Sequence, residues 1–233
     1  MSGKPAARAL DDFSFDQHVE YFFLPPCEVE ALPDPLKVWK YRPVLHLLRR
    51  DLQQLYGAED VLAGKMATPF IALSSMMTGF DILSALFAAE EQDAELIRAA
   101  EILKPHGLES KLVSGIGAKF RKFLTDCAAL SEEDADFIWC IRCSVIHTYS
   151  LKLAKNKFRF VSVSTDAMGA PVCRLQLVAP QEGTLHMLSL WDLKKTFLKA
   201  IFTFKTKLEN AKDSPLGSRF LAGVKKSGYI QIS

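Results

Sequence analysis

The chain has 233 residues, with 29 Lys plus Arg against 27 Asp plus Glu, a formal net charge of +2. Its 49% hydrophobic and 24% charged residues are the proportions of an ordinary globular protein, and this length suffices for one large domain with a sizeable core. The 12 glycines and 11 prolines exclude a collagen-like or low-complexity chain, and the near-zero total excludes a uniformly basic nucleic-acid binder.

Residues 1–12 read as a frayed tail. Phe13 to Leu24 is rich in aromatics and ends at Pro25-Pro26, and the four prolines of 25–41 predict loop or extended chain. Pro43 suits a first helical turn, and Val44, Leu47, Leu48, Leu52 and Leu55 recur at helical spacing as far as Gly57. Thr68-Pro69 reads as N-cap and first helical position of a long helix to about Ala89, whose interior Gly79 permits close helix packing. Its apolar stretch, Met66 to Leu86, is interrupted by Asp81 and diluted by Ser and Thr, so a buried helix is expected and no membrane span. Helices are predicted over Asp93–Lys104 and, weakened by Gly115 and Gly117, over Lys111–Leu130. Ser131-Glu-Glu-Asp134 is a capping-box pattern that opens a helix over about 132–153.

The period then changes. Phe158 to Val163 and Val172 to Val178 read as two strands joined by a turn at Asp166–Pro171, with a third short strand at Leu185–Leu188. A second capping box, Ser189 to Asp192, starts a helix to about Asn210, with Leu193, Phe197, Leu198, Ile201, Phe202 and Leu208 placed on its apolar side. A short helix or turn over Pro215–Lys226 and an edge strand at Tyr229–Ile232 close the sequence. The five cysteines, odd in number and with no secretory signal ahead of them, read as reduced thiols of a cytoplasmic protein.

The segment Phe137 to Leu151 holds a single formal charge, Arg142. Phe137, Ile138, Ile141, Val145 and Tyr149 form one apolar stripe, while Trp139, Cys140 and Ile146 lie outside it, so the helix is expected to be buried on most sides. A buried arginine needs an anionic or carbonyl partner. Asp81, in the other very apolar helix, is the intramolecular candidate, and an RNA phosphate is the functional alternative. Arg142 and His147 are separated by about 140° of rotation and roughly 7.5 Å of rise, so they do not stack on one helix face. They converge only from opposite edges of a groove or across a two-fold axis.

The string Ile141 to His147, on a late helix of a bundle, resembles the Arg-x4–6-His signature of the HEPN superfamily (higher eukaryotes and prokaryotes nucleotide-binding). The resemblance covers about residues 40–155. It implies a helical bundle that dimerises through its motif helices, here a homodimer through 132–153, with RNA or a nucleotide as partner and no cofactor. It implies a metal-independent endoribonuclease of a bacterial defence, stress or toxin–antitoxin system, or else a non-catalytic nucleotide-binding or protein-interaction module. In the catalytic case Arg142 would hold the scissile phosphate, and His147 would be the general acid or base while the 2′-hydroxyl attacks. The sequence departs from the family pattern at Cys143, where active members commonly carry a polar Asn or Asp.

The fold class expected is therefore mostly α: a HEPN-like bundle over 42–155, preceded by a tail, short helix and Pro-rich loop over 1–41. Residues 156–233 add an antiparallel β-hairpin and a basic C-terminal helix packed on the same domain. From Leu190 to Ser233 the net charge is +6, which leaves −4 for the rest. Lys194, Lys195 and Lys199 are the candidate substrate-binding residues of that basic helix, set against a plain solvated lysine face. Cys140, Cys143 and His147 share a helical stripe but lack an evident fourth ligand, so no metal is expected.

Overall fold

Serine caps set several helix starts. Ser14 and Gln17 form a reciprocal capping box, with Gln17 N–H donating to Ser14 Oγ at 3.2 Å and Ser14 N–H to Gln17 Oε1 at 2.9 Å. Ser131 Oγ accepts from Asp134 N–H at 3.1 Å, and Ser214 Oγ from Gly217 N–H at 3.3 Å, directly before Pro215. The computed structural model describes residues 10–31, 41–56, 69–87, 112–148, 160–176 and 184–231. Among them the helices are α1 (Phe15–Phe23), α2 (Pro26–Ala31), α3 (Val44–Tyr56), α4 (Pro69–Phe87), α5 (Leu112–Ala128), α6 (Glu132–Thr148), α7 (Leu190–Glu209) and α8 (Pro215–Ser227). The strands are β1 (Tyr41–Pro43), β2 (Phe160–Ser164), β3 (Val172–Gln176), β4 (Thr184–Ser189) and β5 (Tyr229–Gln231). The fold is mostly α-helical, with small strand elements that include antiparallel pairs. The helix expected over Asp93–Lys104 lies outside the described residues, as does the end of the 132–153 helix beyond Thr148.

The segment expected to be loop holds α2. Pro26 stands at its first position, where a missing N–H costs nothing, and Glu28 N–H bonds back to Pro25 O at 3.0 Å. The β element also differs in pairing. The two strands expected to form a hairpin, β2 and β3, are not neighbours. β4 lies between them, parallel to β2 and antiparallel to β3. The 165–171 connection does not close a turn, because it is tied to the β4–α7 junction instead. Met168 N–H donates to Asp192 Oδ2 at 2.6 Å, Ser189 N–H to Pro171 O at 2.9 Å, and Ser189 Oγ lies 2.7 Å from Asp166 O. β1 and β5 form a separate antiparallel pair.

One buried apolar cluster takes residues from every helix from α3 to α8 and from α1. Its centre is phenylalanine: Phe80 packs edge-on to Phe197 at 5.1 Å, Phe87 to Phe204 at 5.5 Å and Phe23 to Phe204 at 5.6 Å. Burying each such ring contributes on the order of 2–3 kcal/mol. Gly79 explains why α7 comes so close to α4: a Cβ there would lie 2.5 Å from Phe197 Cζ. α4 and α5 pack side by side, and both α6 and α7 pack on that pair. Contacts between α6 and α7 are sparse, so the pair lies between them, in a rhombic four-helix arrangement. α4 is the one described helix long and apolar enough to cross a membrane by length and composition, and half of it is buried inside this core.

Candidate functional site

α6 carries the Arg142 motif, and its neighbours hold it at both ends. At its N-terminal turn Glu132, Glu133 and Asp134 favour the helix dipole. Asp134 pairs with Arg174 of β3, and Arg121 of α5 reaches Asp136 at 3.1 Å. Phe137 stacks on His186 of β4 with ring centres 5.3 Å apart. Phe137, Ile138, Ile141 and Val145 are fully buried. Trp139 also turns inward, against Phe120 at 5.4 Å. A Cβ at Gly117 would come within 2.9 Å of the indole, so this glycine makes room for it.

This packing leaves Arg142 at the α4 contact. Its Nε lies 3.0 and 2.9 Å from Asp81 Oδ1 and Oδ2, and its Nη2 lies 2.8 Å from Oδ2. The guanidinium carbon is also 5.1 Å from the centre of the Trp139 ring. The Arg142 side chain is 15% exposed and that of Asp81 25%. Burial acts to lower the Arg142 pKa, but the hydrogen bonds and charge of Asp81 outweigh it and hold the guanidinium above its ordinary value. Burial raises the pKa of the neighbouring Cys143 thiol despite the opposing charge of Arg142, so the residue that departs from the family pattern is a thiol, not a ready nucleophile. His147 lies in the last described turn of α6, and its side chain lies outside the described residues.

The three candidate lysines separate. Lys194 is 3% exposed, with its ammonium 5.3 Å from the centre of the Trp191 ring, so it belongs to the interior rather than to a surface that binds a polyanion. Lys195 and Lys199 are exposed. Lys195 Nζ stands 3.6 Å from Asp192 Oδ1. Asp192 itself is buried, which opposes ionisation. The Met168 N–H, Ser189 Oγ, Lys195 and the Gly169 N–H together overcome this and lower its pKa. Lys195 and Lys199 do not join the Arg142 site, since α4 and α5 lie between α6 and α7.

Phe202 is the residue that the apolar pattern misplaced: it is 71% exposed. The signal was available in the helical wheel. Phe202 lies seven residues after Lys195 and three after Lys199, which puts it on the lysine side, not with Phe197, Phe204 and Leu208.

An open groove of about 810 Å³ runs between α5 and the start of α6, lined in part by Arg121, Lys122, Asp126, Glu132, Glu133 and Asp136. Its cations are committed to its own carboxylates, Arg121 to Asp136 and Lys122 to Asp126 at 2.8 Å. Two bases against four acids suit no anionic ligand, and Arg142 is not part of its wall. Among the described residues, no three His, Cys, Asp or Glu side chains gather where a metal could bind. No family model matches the chain, and no curated protein or solved structure is significantly similar to it.

Proposed function

We propose that this chain is a HEPN-like, RNA-directed protein of the non-catalytic kind. In this reading Arg142 ties α6 to α4, and the exposed lysines of α7 hold the RNA backbone. The observation that supports it most is the ion pair of Arg142 with both oxygens of Asp81. With Nε and Nη2 both on Asp81, the side edge of the guanidinium is occupied, and the negative carboxylate beside it opposes a phosphate brought to the remaining N–H groups. The phosphate-facing role passes instead to Lys195 and Lys199, which are exposed on another side of the bundle. The reading carries with it a cytoplasmic location and a homodimer through the 132–153 helix, whose Cys140, Cys143 and Ile146 are only partly buried.

The test incubates the purified chain and a His147→Ala variant with mixed RNA in EDTA, and measures RNA binding by fluorescence anisotropy in parallel. Binding without cleavage by either protein is expected. Cleavage by the parent that the variant loses would overturn the non-catalytic reading in favour of a metal-independent endoribonuclease at Arg142 and His147. Absence of binding would remove RNA altogether.

A further inference from the structure

We propose that the outward face of α7 is a stacking platform for one unpaired strand of RNA, with Phe202 receiving a base and Lys195 and Lys199 the flanking phosphates. The inference rests on the RNA-directed reading above and adds the class of RNA and an aromatic residue that the lysine pattern did not include.

At about 100° per residue, Lys195, Lys199, Phe202 and Thr206 fall within roughly 60° of one another. Leu193, Phe197, Ala200, Phe204 and Leu208, all buried, lie on the opposite side of the same helix. The face is therefore a narrow ridge that points away from the core. Phe202 is the most exposed large apolar residue among those described. A single exposed apolar side chain is ordinary. What distinguishes this one is its setting, three residues from Lys199 and seven from Lys195, within a segment of net charge +6. The two lysines are about 6 Å apart along the axis, and Phe202 lies about 4.5 Å beyond Lys199. Two acids lie beside the ridge: exposed Glu209 at its far end, 3.7 Å from Lys205 Nζ, and buried Asp192, whose Oδ1 stands 3.6 Å from Lys195 Nζ and whose Oδ2 is taken by Met168 N–H and Ser189 Oγ.

A ridge of two cations and one bare ring matches the chemistry of an unpaired strand, which offers phosphates and the open faces of its bases. A duplex offers the phosphates but hides the base faces in its stack. A lipid surface needs a broad apolar face, and here one ring stands among Lys and Thr. A protein partner needs a patch of several hundred Å² on this side, which one phenylalanine does not supply.

The test uses the full chain and fluorescein-labelled oligo(U), with duplex RNA and oligo(dT) of equal length beside it. The parent is expected to bind oligo(U) more tightly than the duplex. Phe202→Ala and Phe202→Leu are each expected to weaken oligo(U) binding five-fold or more, since leucine keeps the apolar bulk but not the ring. Lys199→Gln is expected to reduce the slope of log K against log salt by about 0.7. Unchanged affinity in both Phe202 variants, with the parent still binding oligo(U), overturns the platform and leaves the RNA-directed reading standing. No binding by the parent at low salt overturns that reading as well. Tighter binding to oligo(dT) than to oligo(U) overturns the choice of RNA. Conversion of a dimer to a monomer by Phe202→Ala, with RNA affinity intact, makes the face a contact between two copies and also overturns the proposal. Phe202 faces solvent, so its variants keep the core intact.

Discussion

Replacing Asp81 with Asn removes one charge and almost no volume, so it isolates the contribution of the Arg142 pair. In the parent, three N–O contacts of 2.8–3.0 Å join the two side chains. Asn offers one acceptor oxygen and no charge, so a guanidinium that is 15% exposed loses its anionic partner and keeps the Trp139 face beside it. Hydrogen bonds to charged groups are worth about 1.5–3 kcal/mol, and breaking a fully buried pair costs about 3–5 kcal/mol. Asp81 is a quarter exposed, so water reaches the pair and the lower range applies. The expected loss is about 2 kcal/mol, which for a chain of this size is a fall in Tm of roughly 4–8 °C. Circular dichroism melts and urea titrations measure it. The double variant Asp81→Asn/Arg142→Gln closes a thermodynamic cycle, and the coupling is expected at about 1–2 kcal/mol, with the double variant more stable than the two single losses would sum to. A loss below about 0.5 kcal/mol for Asp81→Asn, or additive single effects, would refute the view that Arg142 is held structurally.

Gly79→Ala drives a methyl group into Phe197, 2.5 Å from its Cζ, and is expected to destabilise by about 1–3 kcal/mol despite the better helix propensity of alanine. Chemical denaturation checks this, and a stabilised variant would contradict the close contact. Asp192→Asn tests the knot at the β4–α7 junction. The folded pKa of Asp192 is lowered, so its carboxylate contributes stability above the unfolded value near 3.8, and that contribution is lost as pH falls through the lower folded value. The variant is therefore expected to be about 1 kcal/mol less stable than the parent at pH 7, with the gap closing below about pH 3.8. Melts at pH 7 and pH 3 measure it, and a gap that widens in acid would reverse the sign.

Local chemistry in the sequence carried most of the helical framework. Ser131 and Ser189 mark helix starts because a serine hydroxyl satisfies an orphan N–H wherever it stands, which requires no knowledge of the rest of the fold. The Arg142–Asp81 contact was legible for a related reason: each is a rare charge in a nearly uncharged helix, and such charges need each other. Strand pairing was not legible, since β4 takes its central place only through partners on both edges. Asp192 shows the limit of a motif. Its backbone N–H bonds Ser189 Oγ as a capping box predicts, but its carboxylate reaches the Met168 N–H, from a loop that no local pattern connects to it. Lys194 and Phe202 exchange their usual places. The lysine is buried over Trp191 and the phenylalanine faces solvent, because the helix has one core-facing side and position on it overrides residue type.

The short pairing of β1 with β5 has a consequence for the order of events during synthesis. Its partners stand near opposite ends of the described chain, and the same seam joins His18 to Tyr229 across 211 positions, with a 2.9 Å bond between ring and hydroxyl. Tyr21 stacks on Tyr229 within it. No part of that seam can close until the segment around Tyr229 has left the ribosome. Tyr21, Phe22 and their neighbours in α1 therefore wait for their final cover until the segment around Tyr229 is made, 211 positions after His18. Contacts this distant in sequence slow folding and prolong the exposure of sticky surface, so the aromatic helix α1 is where a chaperone would find its longest opportunity.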